Sequence, residues 1–255
     1  MLLAVDVGNT SMMFAVFEGD TVRGTWQFST DTKRTADEYA VSLQSMMALS
    51  DIAFSEIDDV IISCVVPKHM YALTSLARQY FDCNPLIVGS ADVDLDIKIC
   101  LERPSEVGAD RLVNAVAVRE IYAEDSIIID FGTATTFDIV TAKGDYLGGA
   151  IAPGIHLSVD ALHKAAAKLP EVAVTRPKNV IGTNTVSAIQ SGIYYGYKGV
   201  IEGIVSQMRS EYKHPLKVIA TGGLASLFSK GDSIIEEVRR DLTIQGLRLI
   251  YQKNK

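Results

Sequence analysis

The hydrophobic pattern of the chain opens with three β-like runs separated by turns. Residues 2–5 are apolar, residues 12–17 are apolar again, and residues 21–28 are rich in side chains that favour strands. The segments Asp6-Val7-Gly8-Asn9-Thr10 and Glu18-Gly19-Asp20 separate these runs and carry residues typical of turns. The pattern therefore predicts a three-stranded antiparallel meander.

Helical and strand patterns alternate after this meander, so that the first half of the chain reads β-β-β-α-β-α-β. Thr35 stands three residues before Glu38, which is the spacing of a capping box. It predicts the start of a helix that runs to about residue 49. The remaining elements of this half are predicted as a strand at 60–65, a helix at 69–80 and a strand at 85–88.

The second half of the chain repeats the opening of the first. Ile127-Ile128-Ile129-Asp130-Phe131-Gly132 matches Leu3-Ala4-Val5-Asp6-Val7-Gly8, and a second strand pattern follows each copy. Gly144-Asp145 then leads into a third strand-like run, as Gly19-Asp20 does earlier. We interpret this as an internal duplication of a β-meander. The later elements are predicted as helices at 112–122, 158–167, 186–209 and 234–251 and a strand at 216–220.

The composition favours a globular protein without a nucleic-acid or membrane partner. The 255 residues are 48% hydrophobic and 22% charged, which is enough to bury a large core. The net charge of −7 argues against a broad nucleic-acid footprint, although local amides and a metal ion can still hold a nucleotide. The three cysteines form no C-x-x-C pair, and no run reaches the roughly 20 apolar residues of a spanning helix. These features predict a cytoplasmic protein.

The candidate chemistry lies in the two Asp-x-Gly turns, because the common phosphate-binding motifs are absent. Neither G-x-x-x-x-G-K-[ST] nor a G-x-G-x-x-G after a strand occurs, which excludes a P-loop and a dinucleotide fold. A tight turn between strands points backbone N–H groups toward a phosphate, and Asn9, Thr10 and Thr133 add side-chain donors. The carboxylates of Asp6 and Asp130 suit hard cations. The alternative, that both turns only close hairpins, stays open at this point.

Further motifs follow one another along nearly the whole chain. They are Asp6-Val7-Gly8-Asn9-Thr10, Gly108-Ala109-Asp110-Arg111, Asp130-Phe131-Gly132-Thr133-Ala134-Thr135, Gly148-Gly149-x-Ile151-x-Pro153-Gly154, Thr183-Asn184-Thr185 with Gln190-Ser191-Gly192, and Thr221-Gly222-Gly223-Leu224-Ala225. This ordered set resembles the type III pantothenate kinase family, which belongs to the acetate/sugar kinase–Hsp70–actin superfamily. The resemblance implies an enzyme that uses ATP to phosphorylate pantothenate to 4′-phosphopantothenate, the first step of coenzyme A biosynthesis.

The resemblance also implies a fold and a role for each matching residue. The fold is α/β, a duplicated actin-like (ribonuclease H-like) two-lobe core with mixed sheets and flanking helices. Its N-terminal lobe is expected at 1–110 and its C-terminal lobe at 111–255. Asp110 is implied as the general base and Asp130 as a ligand of a monovalent cation, either K⁺ or NH₄⁺, which acts beside Mg²⁺ and ATP. The family also implies a homodimer with the substrate site near the interface. The implied substrate-binding residues are Gly108, Ala109, Asp110, Arg111 and Thr185, and the implied ATP-binding residues are Asp6, Val7, Gly8, Asn9, Thr10, Ser11 and Thr133.

Two positions depart from the family pattern. Leu101 stands where members commonly have a tyrosine on the substrate side, and Met13 stands where some have lysine. Two alternatives stay open, of which Leu101 supports the first. One is a related kinase that acts on another small-molecule hydroxyl, and the other is a catalytically impaired nucleotide-binding regulatory protein. The presence of Asp6, Asp110 and Asp130 favours the enzyme.

Overall fold

The chain forms two compact units, each with its own sheet. The computed structural model describes residues 1–166, 169–231 and 233–255, so the last residue of the helix predicted at 158–167 lies outside the described residues. The first unit contains Met1–Ile97, Glu102–Ile121 and Asp241–Lys255, and the second unit contains Lys98–Leu101 and Tyr122–Arg240.

These units divide the chain differently from the lobes predicted at 1–110 and 111–255. Residues 102–121 belong to the first unit, and the C-terminal residues 241–255 return to it. Apolar packing accounts for this division, because Val113 and Leu247 are fully buried in one core together with the first strand. Burying one such side chain contributes about 1.5–3 kcal/mol to folding.

The regular elements largely follow the predicted pattern, and the capping box is confirmed because Glu38 N–H donates to Thr35 Oγ1 at 3.3 Å. The strands are β1 (Leu2–Val7), β2 (Ser11–Glu18), β3 (Thr21–Ser29), β4 (Asp59–Cys64), β5 (Leu86–Ile87), β6 (Lys98–Ile99), β7 (Ser126–Phe131), β8 (Ala134–Val140), β9 (Asp145–Pro153), β10 (Lys217–Gly222) and β11 (Glu237–Val238). The helices are α1 (Ala36–Ala48), α2 (Met70–Tyr80), α3 (Ala109–Tyr122), α4 (Ile155–Ala165), α5 (Thr185–Tyr212), α6 (Ala225–Phe228) and α7 (Leu242–Lys253).

The sheet of the first unit has the strand order β3-β2-β1-β4-β5. Strands β1, β2 and β3 form the predicted antiparallel meander, and β4 and β5 continue the sheet in parallel with β1. Leu3 and Val5 pack with α1 and α2 on one face, whereas Leu2 and Ala4 pack with α3 and α7 on the other. Because side chains alternate along a strand, Asp6 belongs to the face that α3 and α7 cover.

The sheet of the second unit has the strand order β11-β10-β7-β8-β9-β6, which repeats the first order with β6 added at one edge. The repeat extends to an irregularity: the β2–β3 register shifts at Val16/Phe17, and the β8–β9 register shifts at Ile139/Val140. These positions are equivalent, since Asp6 pairs with Met13 in one hairpin and Asp130 with Thr136 in the other. The predicted duplication is confirmed.

The helix predicted at 234–251 is wrong over its first part. Glu237–Val238 instead form β11, which pairs in parallel with β10, and α7 begins only at Leu242. Ile235 is buried in the core of the second unit although it lies outside any helix, so an apolar residue at this position does not indicate a helix. The sequence pattern also does not predict β6 or α6, because segments of two and four residues are too short to show a period.

Two compositional expectations can be compared with the described residues. No helix among them combines the length and the apolar run that crossing a bilayer requires. Cys64, Cys83 and Cys100 form no disulfide, which agrees with their spacing in the sequence. The cytoplasmic location stays a prediction.

Candidate active site

Asp6 and Asp130 occupy equivalent positions in the two sheets. Each is the last residue but one of the first strand of its copy, β1 or β7. In the parallel register, Asp6 lies opposite Ser63 of β4, and Asp130 lies opposite Thr221 of β10. Each sheet therefore carries a carboxylate and a hydroxyl side by side on one face, where the strand meets the turn.

The turns that follow these strands differ in length by one residue. Three residues join β1 to β2, whereas two residues join β7 to β8. Each turn is closed by a hydrogen bond from its glycine, with Gly8 N–H donating to Ser11 O at 3.0 Å and Gly132 N–H donating to Ala134 O at 3.1 Å. The tips of both turns are exposed to solvent, which suits the phosphate-binding role predicted for their backbone and side chains.

The residue after the third strand of each copy holds the turn in place. Thr30 follows β3, and its N–H donates to Thr10 O at 3.0 Å. Gly154 follows β9 in the equivalent position, and its N–H donates to Thr133 O at 3.1 Å. Thr30 adds a second bond in the first copy, because its hydroxyl donates to Gly8 O at 2.7 Å. Neither Thr30 nor Gly154 is among the predicted site residues, although their shared place in the duplication relates them.

Gly154 cannot supply such a second bond. A β-carbon on residue 154 would lie 2.2 Å from Thr133 O, so the close approach of the two backbones requires glycine. The second turn therefore depends on other residues for the contact that Thr30 makes in the first turn.

Asp110 lies in the first turn of α3, where a negative charge is favoured by the helix dipole. Its carboxylate accepts a hydrogen bond from Arg111 N–H at 2.8 Å. Gly108, just before α3, approaches Val65, and Val65 N–H in turn donates to Val7 O at 3.1 Å. The start of α3 thus lies at the end of β1 and β4, on the face of the sheet to which Asp6 belongs.

The remaining substrate residues predicted from the sequence lie in both units. Ala109 packs against the core of the first unit, and Arg111 is half-buried in the first turn of α3. Thr185 is the exposed first residue of α5 in the second unit and follows the capping residue Asn184. Residues 108–111 therefore form the start of α3, whereas Thr185 lies at the start of a different helix, α5.

The two positions that depart from the family pattern are held by apolar contacts. Leu101 is half-buried, and its Cδ2 would be 2.7 Å from a β-carbon on Gly148, so the leucine lies directly against that glycine. Met13 lies opposite Asp6 and packs against the core shared with α3 and α7. Residue 13 therefore contributes no positive charge.

Cys64 ends β4 beside Ser63 and is not suited to act as a nucleophile. Burial raises the pKa of its thiol, a backbone hydrogen bond with Val66 lowers that pKa, and the nearby Asp6 carboxylate raises it. The net shift is upward, so the thiol stays protonated near neutral pH.

A buried hydroxyl beside each of the two aspartates has no hydrogen-bond partner within the described part of the chain. Among the described residues, neither Ser63 Oγ nor Thr136 Oγ1 has a hydrogen-bond partner. Ser63 lies next to Asp6 in the register and Thr136 next to Asp130. Such oxygens, together with a carboxylate, match the ligands that Mg²⁺ and other hard cations prefer. Within the same described part of the chain, no three His, Cys, Asp or Glu residues converge as a preformed metal site.

The duplicated sheets, each with an aspartate beside a glycine turn, define the actin-like α/β class to which the acetate and sugar kinases belong. Solved structures share this fold. Ethanolamine utilization protein EutJ from Carboxydothermus hydrogenoformans has a TM-score of 0.58 and 15% identity, over 97% of this chain and 89% of that protein. The inorganic polyphosphate/ATP-glucomannokinase from Arthrobacter sp. strain KM has a TM-score of 0.50 and 12% identity, over 99% of this chain and 98% of the kinase.

Closer relatives specify the family within this class. Residues 2–207 match the family model of type III pantothenate kinase. The type III pantothenate kinase of Paramagnetospirillum magneticum is 53% identical over 254 residues, which cover 100% of this chain and 98% of that relative. The chain therefore belongs to the type III pantothenate kinase family.

Proposed function

We propose that the chain transfers the terminal phosphate of ATP to the 4′ hydroxyl of pantothenate, with Asp110 as the general base. Family membership over the full length carries this proposal. The product, 4′-phosphopantothenate, is the first intermediate of coenzyme A biosynthesis. As the new phosphorus–oxygen bond forms, the bond to the β-phosphate oxygen breaks and ADP leaves. The hydroxyl proton passes to the Asp110 carboxylate.

Asp110 is suited to this role by its surroundings. Its carboxylate accepts the Arg111 N–H and is half-exposed, so a substrate hydroxyl can approach it from the solvent side. General-base assistance of this kind typically contributes about 10²–10⁴ in rate. We assign Gly108, Ala109, Arg111 and Thr185 to pantothenate binding. The planar guanidinium of Arg111 can donate two parallel hydrogen bonds to a carboxylate such as that of pantothenate.

The first turn is assigned to the phosphates of ATP. Phosphoryl transfer depends mainly on positioning and on charge stabilisation, and backbone N–H groups of a tight turn supply both. Thr133 of the second turn is likewise assigned to ATP. The ATP-binding residues of the first turn and its flanks are Asp6, Val7, Gly8, Asn9, Thr10 and Ser11.

The proposal includes two kinds of cation. We assign Mg²⁺ to the Asp6 carboxylate and K⁺ or NH₄⁺ to the Asp130 carboxylate, because beside each lies a buried hydroxyl that has no partner among the residues the structure describes. A bound cation offsets the negative charge of the phosphates. The protein's own part is to orient these oxygens and to hold the two turns.

We also propose that the chain works as a homodimer that uses the exposed face of α5. Gly192, Gly196, Gly199 and Gly203 lie within about 60° of arc on this helix. Among the described residues, a β-carbon added at any of them meets no atom within 4 Å. Leu157 of the neighbouring helix α4 is 51% exposed. A second copy can approach such a smooth helix face closely, which favours this surface for self-association.

The test of the proposed function is ADP formation that depends on pantothenate. The assay contains Mg²⁺ and either K⁺ or NH₄⁺, and each cation is omitted in turn. We expect ADP and 4′-phosphopantothenate in equal amounts. Folded protein that produces neither, at any cation composition, contradicts the proposal. Nucleotide binding without turnover would instead favour a regulatory protein.

A second candidate function, a kinase for another hydroxyl compound, is favoured by Leu101. This apolar side chain against Gly148 replaces a tyrosine common in the family. A panel of pantothenate analogues and sugars, compared by kcat/KM, separates the two candidates. A higher kcat/KM for any of them than for pantothenate would support the second.

A further inference from the structure

Tyr197 links helix α5 to both strands that border the second turn. Its side chain is buried, at 7% exposure, and its hydroxyl lies 2.5 Å from Thr135 Oγ1 and 2.9 Å from Pro153 O. The carbonyl of Pro153 can only accept, so Tyr197 donates to it and the Thr135 hydroxyl donates to Tyr197. One buried hydroxyl thus joins the start of β8 to the end of β9.

These two contacts frame Thr133 on both sides. Thr135 follows Thr133 by two residues, and Pro153 directly precedes Gly154, whose N–H donates to Thr133 O. In the first copy, the side chain of Thr30 supplies the extra bond to its turn. Since residue 154 must be glycine, the second copy obtains its extra contact from a helix more than forty residues away in sequence.

We propose that Tyr197 is a positioning residue for nucleotide binding, acting through the Thr133 turn. We assign it no contact with the reacting atoms or the substrates. Its hydroxyl adds a side-chain link between the two strand ends, which already pair through their backbones, and thereby supports the orientation of Thr133. This inference rests on the proposed function, which assigns Thr133 to ATP.

The test compares Tyr197→Phe with Tyr194→Phe. Tyr194 lies one turn earlier on α5 and is also buried. Its ring stacks on Phe228, the ring that Tyr197 also contacts. Both substitutions remove one hydroxyl from a buried tyrosine of the same helix. We expect Tyr197→Phe to raise KM for ATP by about five- to tenfold, which is the effect of losing one or two buried hydrogen bonds. KM for pantothenate stays within about twofold, and Tyr194→Phe keeps both values of the wild type.

A merely structural role gives a different result. Partial unfolding reduces the active fraction, which lowers kcat but leaves both KM values unchanged. An unchanged KM for ATP in a folded Tyr197→Phe protein therefore overturns the inference. If Tyr197→Phe does not fold, Thr135→Val removes the other hydroxyl, and Thr135→Ser keeps it. We expect the valine variant to raise KM for ATP and the serine variant to restore it, and equal values in both overturn the inference.

Direct titration with ADP separates this inference from the proposed function. If the wild type binds ADP but does not phosphorylate pantothenate, the proposed function fails, while weaker ADP binding by Tyr197→Phe still supports the positioning role. If the wild type is active and the two proteins bind ADP equally, the positioning role fails alone. A wild type that binds no nucleotide overturns both.

Discussion

The carboxylate of Asp110 occupies the space beside Gly108 that a β-carbon would fill. That β-carbon would lie 2.5 Å from Asp110 Oδ1 and 3.5 Å from the nearest atom of Val65. The close contact is with the end of a side chain and not with backbone. The lack of a side chain at residue 108 therefore leaves the space in which the proposed base lies.

Gly108→Ala should lower kcat while leaving the protein folded. The added methyl group pushes the Asp110 carboxylate aside, and a displacement of about 1 Å can reduce a rate by about 10²-fold. We expect the midpoint of thermal unfolding to stay within about 3 °C, since no backbone atom has to move. Steady-state kinetics at saturating ATP and pantothenate measure the effect. A variant with the kcat of the wild type contradicts this account of Gly108.

Asp110→Asn should remove most turnover, by about 10²–10⁴ in kcat, because the amide cannot take the hydroxyl proton. The amide keeps the size of the side chain and can still accept from Arg111 N–H, so the fold is retained. Asp92→Asn, at an exposed aspartate of the same unit, is the matched control and keeps full activity. Near-normal turnover in Asp110→Asn removes this residue from the proposed role.

Thr30→Val should weaken ATP binding from the side of the first turn. The substitution preserves shape and the bond from residue 30 N–H to Thr10 O but removes the hydroxyl bond to Gly8 O. Loss of one such bond corresponds to roughly a three- to tenfold rise in KM for ATP. Thr30→Ser retains the hydroxyl and should behave as wild type. Identical KM values in the valine and serine variants would mean that the hydroxyl bond does not affect the turn.

Gly196→Glu should produce a folded monomer. Residue 196 has open space around it among the described residues, so the new side chain causes no clash within the chain, and glutamate favours helix over glycine by several tenths of a kcal/mol. A buried charge at a self-association face is costly. Light scattering after size exclusion measures the mass, with Glu202→Lys on an adjacent face of α5 as control. A dimeric Gly196→Glu protein contradicts the assignment of this face.

Stability should fall at acid pH because of His69. Its side chain is 1% exposed with Nδ1 3.3 Å from the Tyr39 hydroxyl oxygen, and burial lowers its pKa, with Asp31 acting in the opposite direction. The unfolded chain, with a His pKa near about 6.5, then binds more protons than the folded chain. Stability is therefore full above about pH 6.5 and is lost as pH falls below it, by at most about 1.4 kcal/mol per pH unit.

Urea unfolding at about pH 8 and about pH 5.5 measures this effect, on either side of the unfolded histidine pKa. His69→Gln should show a smaller loss of unfolding free energy between the two conditions than the wild type. His156→Gln, at an exposed histidine, should match the wild type. Equal pH dependence in all three proteins would falsify the contribution of His69.

Repetition in the sequence is what made the fold predictable. The two Asp-x-Gly turns and the strand runs around them are local, so they are visible in consecutive residues. Strands of two residues, such as Glu237–Val238, carry no period, and only their pairing with β10 defines them. The helical prediction over 234–241 failed for this reason, because the buried Ile235 was counted toward a helix.

The contacts around the candidate site were less accessible to sequence reasoning. Tyr197 and Thr135 are 62 positions apart, and nothing in the local pattern around either residue indicates that their hydroxyls meet. That Ser63 lies beside Asp6, with a hydroxyl that has no partner among the described residues, is likewise visible only from the parallel register of β1 and β4. In both cases the information lies in strand pairing and burial.

The bond from residue 30 to the first turn and the bond from residue 154 to the second also bear on mutational tolerance. The backbone contribution is the same in both halves, yet the first position accepts a side chain and the second does not. A substitution at residue 30 keeps the hydroxyl bond if the new residue is serine, whereas any substitution at residue 154 places a β-carbon too close to Thr133 O. The two halves of the duplicated fold thus tolerate different residues at one shared structural position. An alignment of the halves by residue identity would not show that residues 30 and 154 are equivalent.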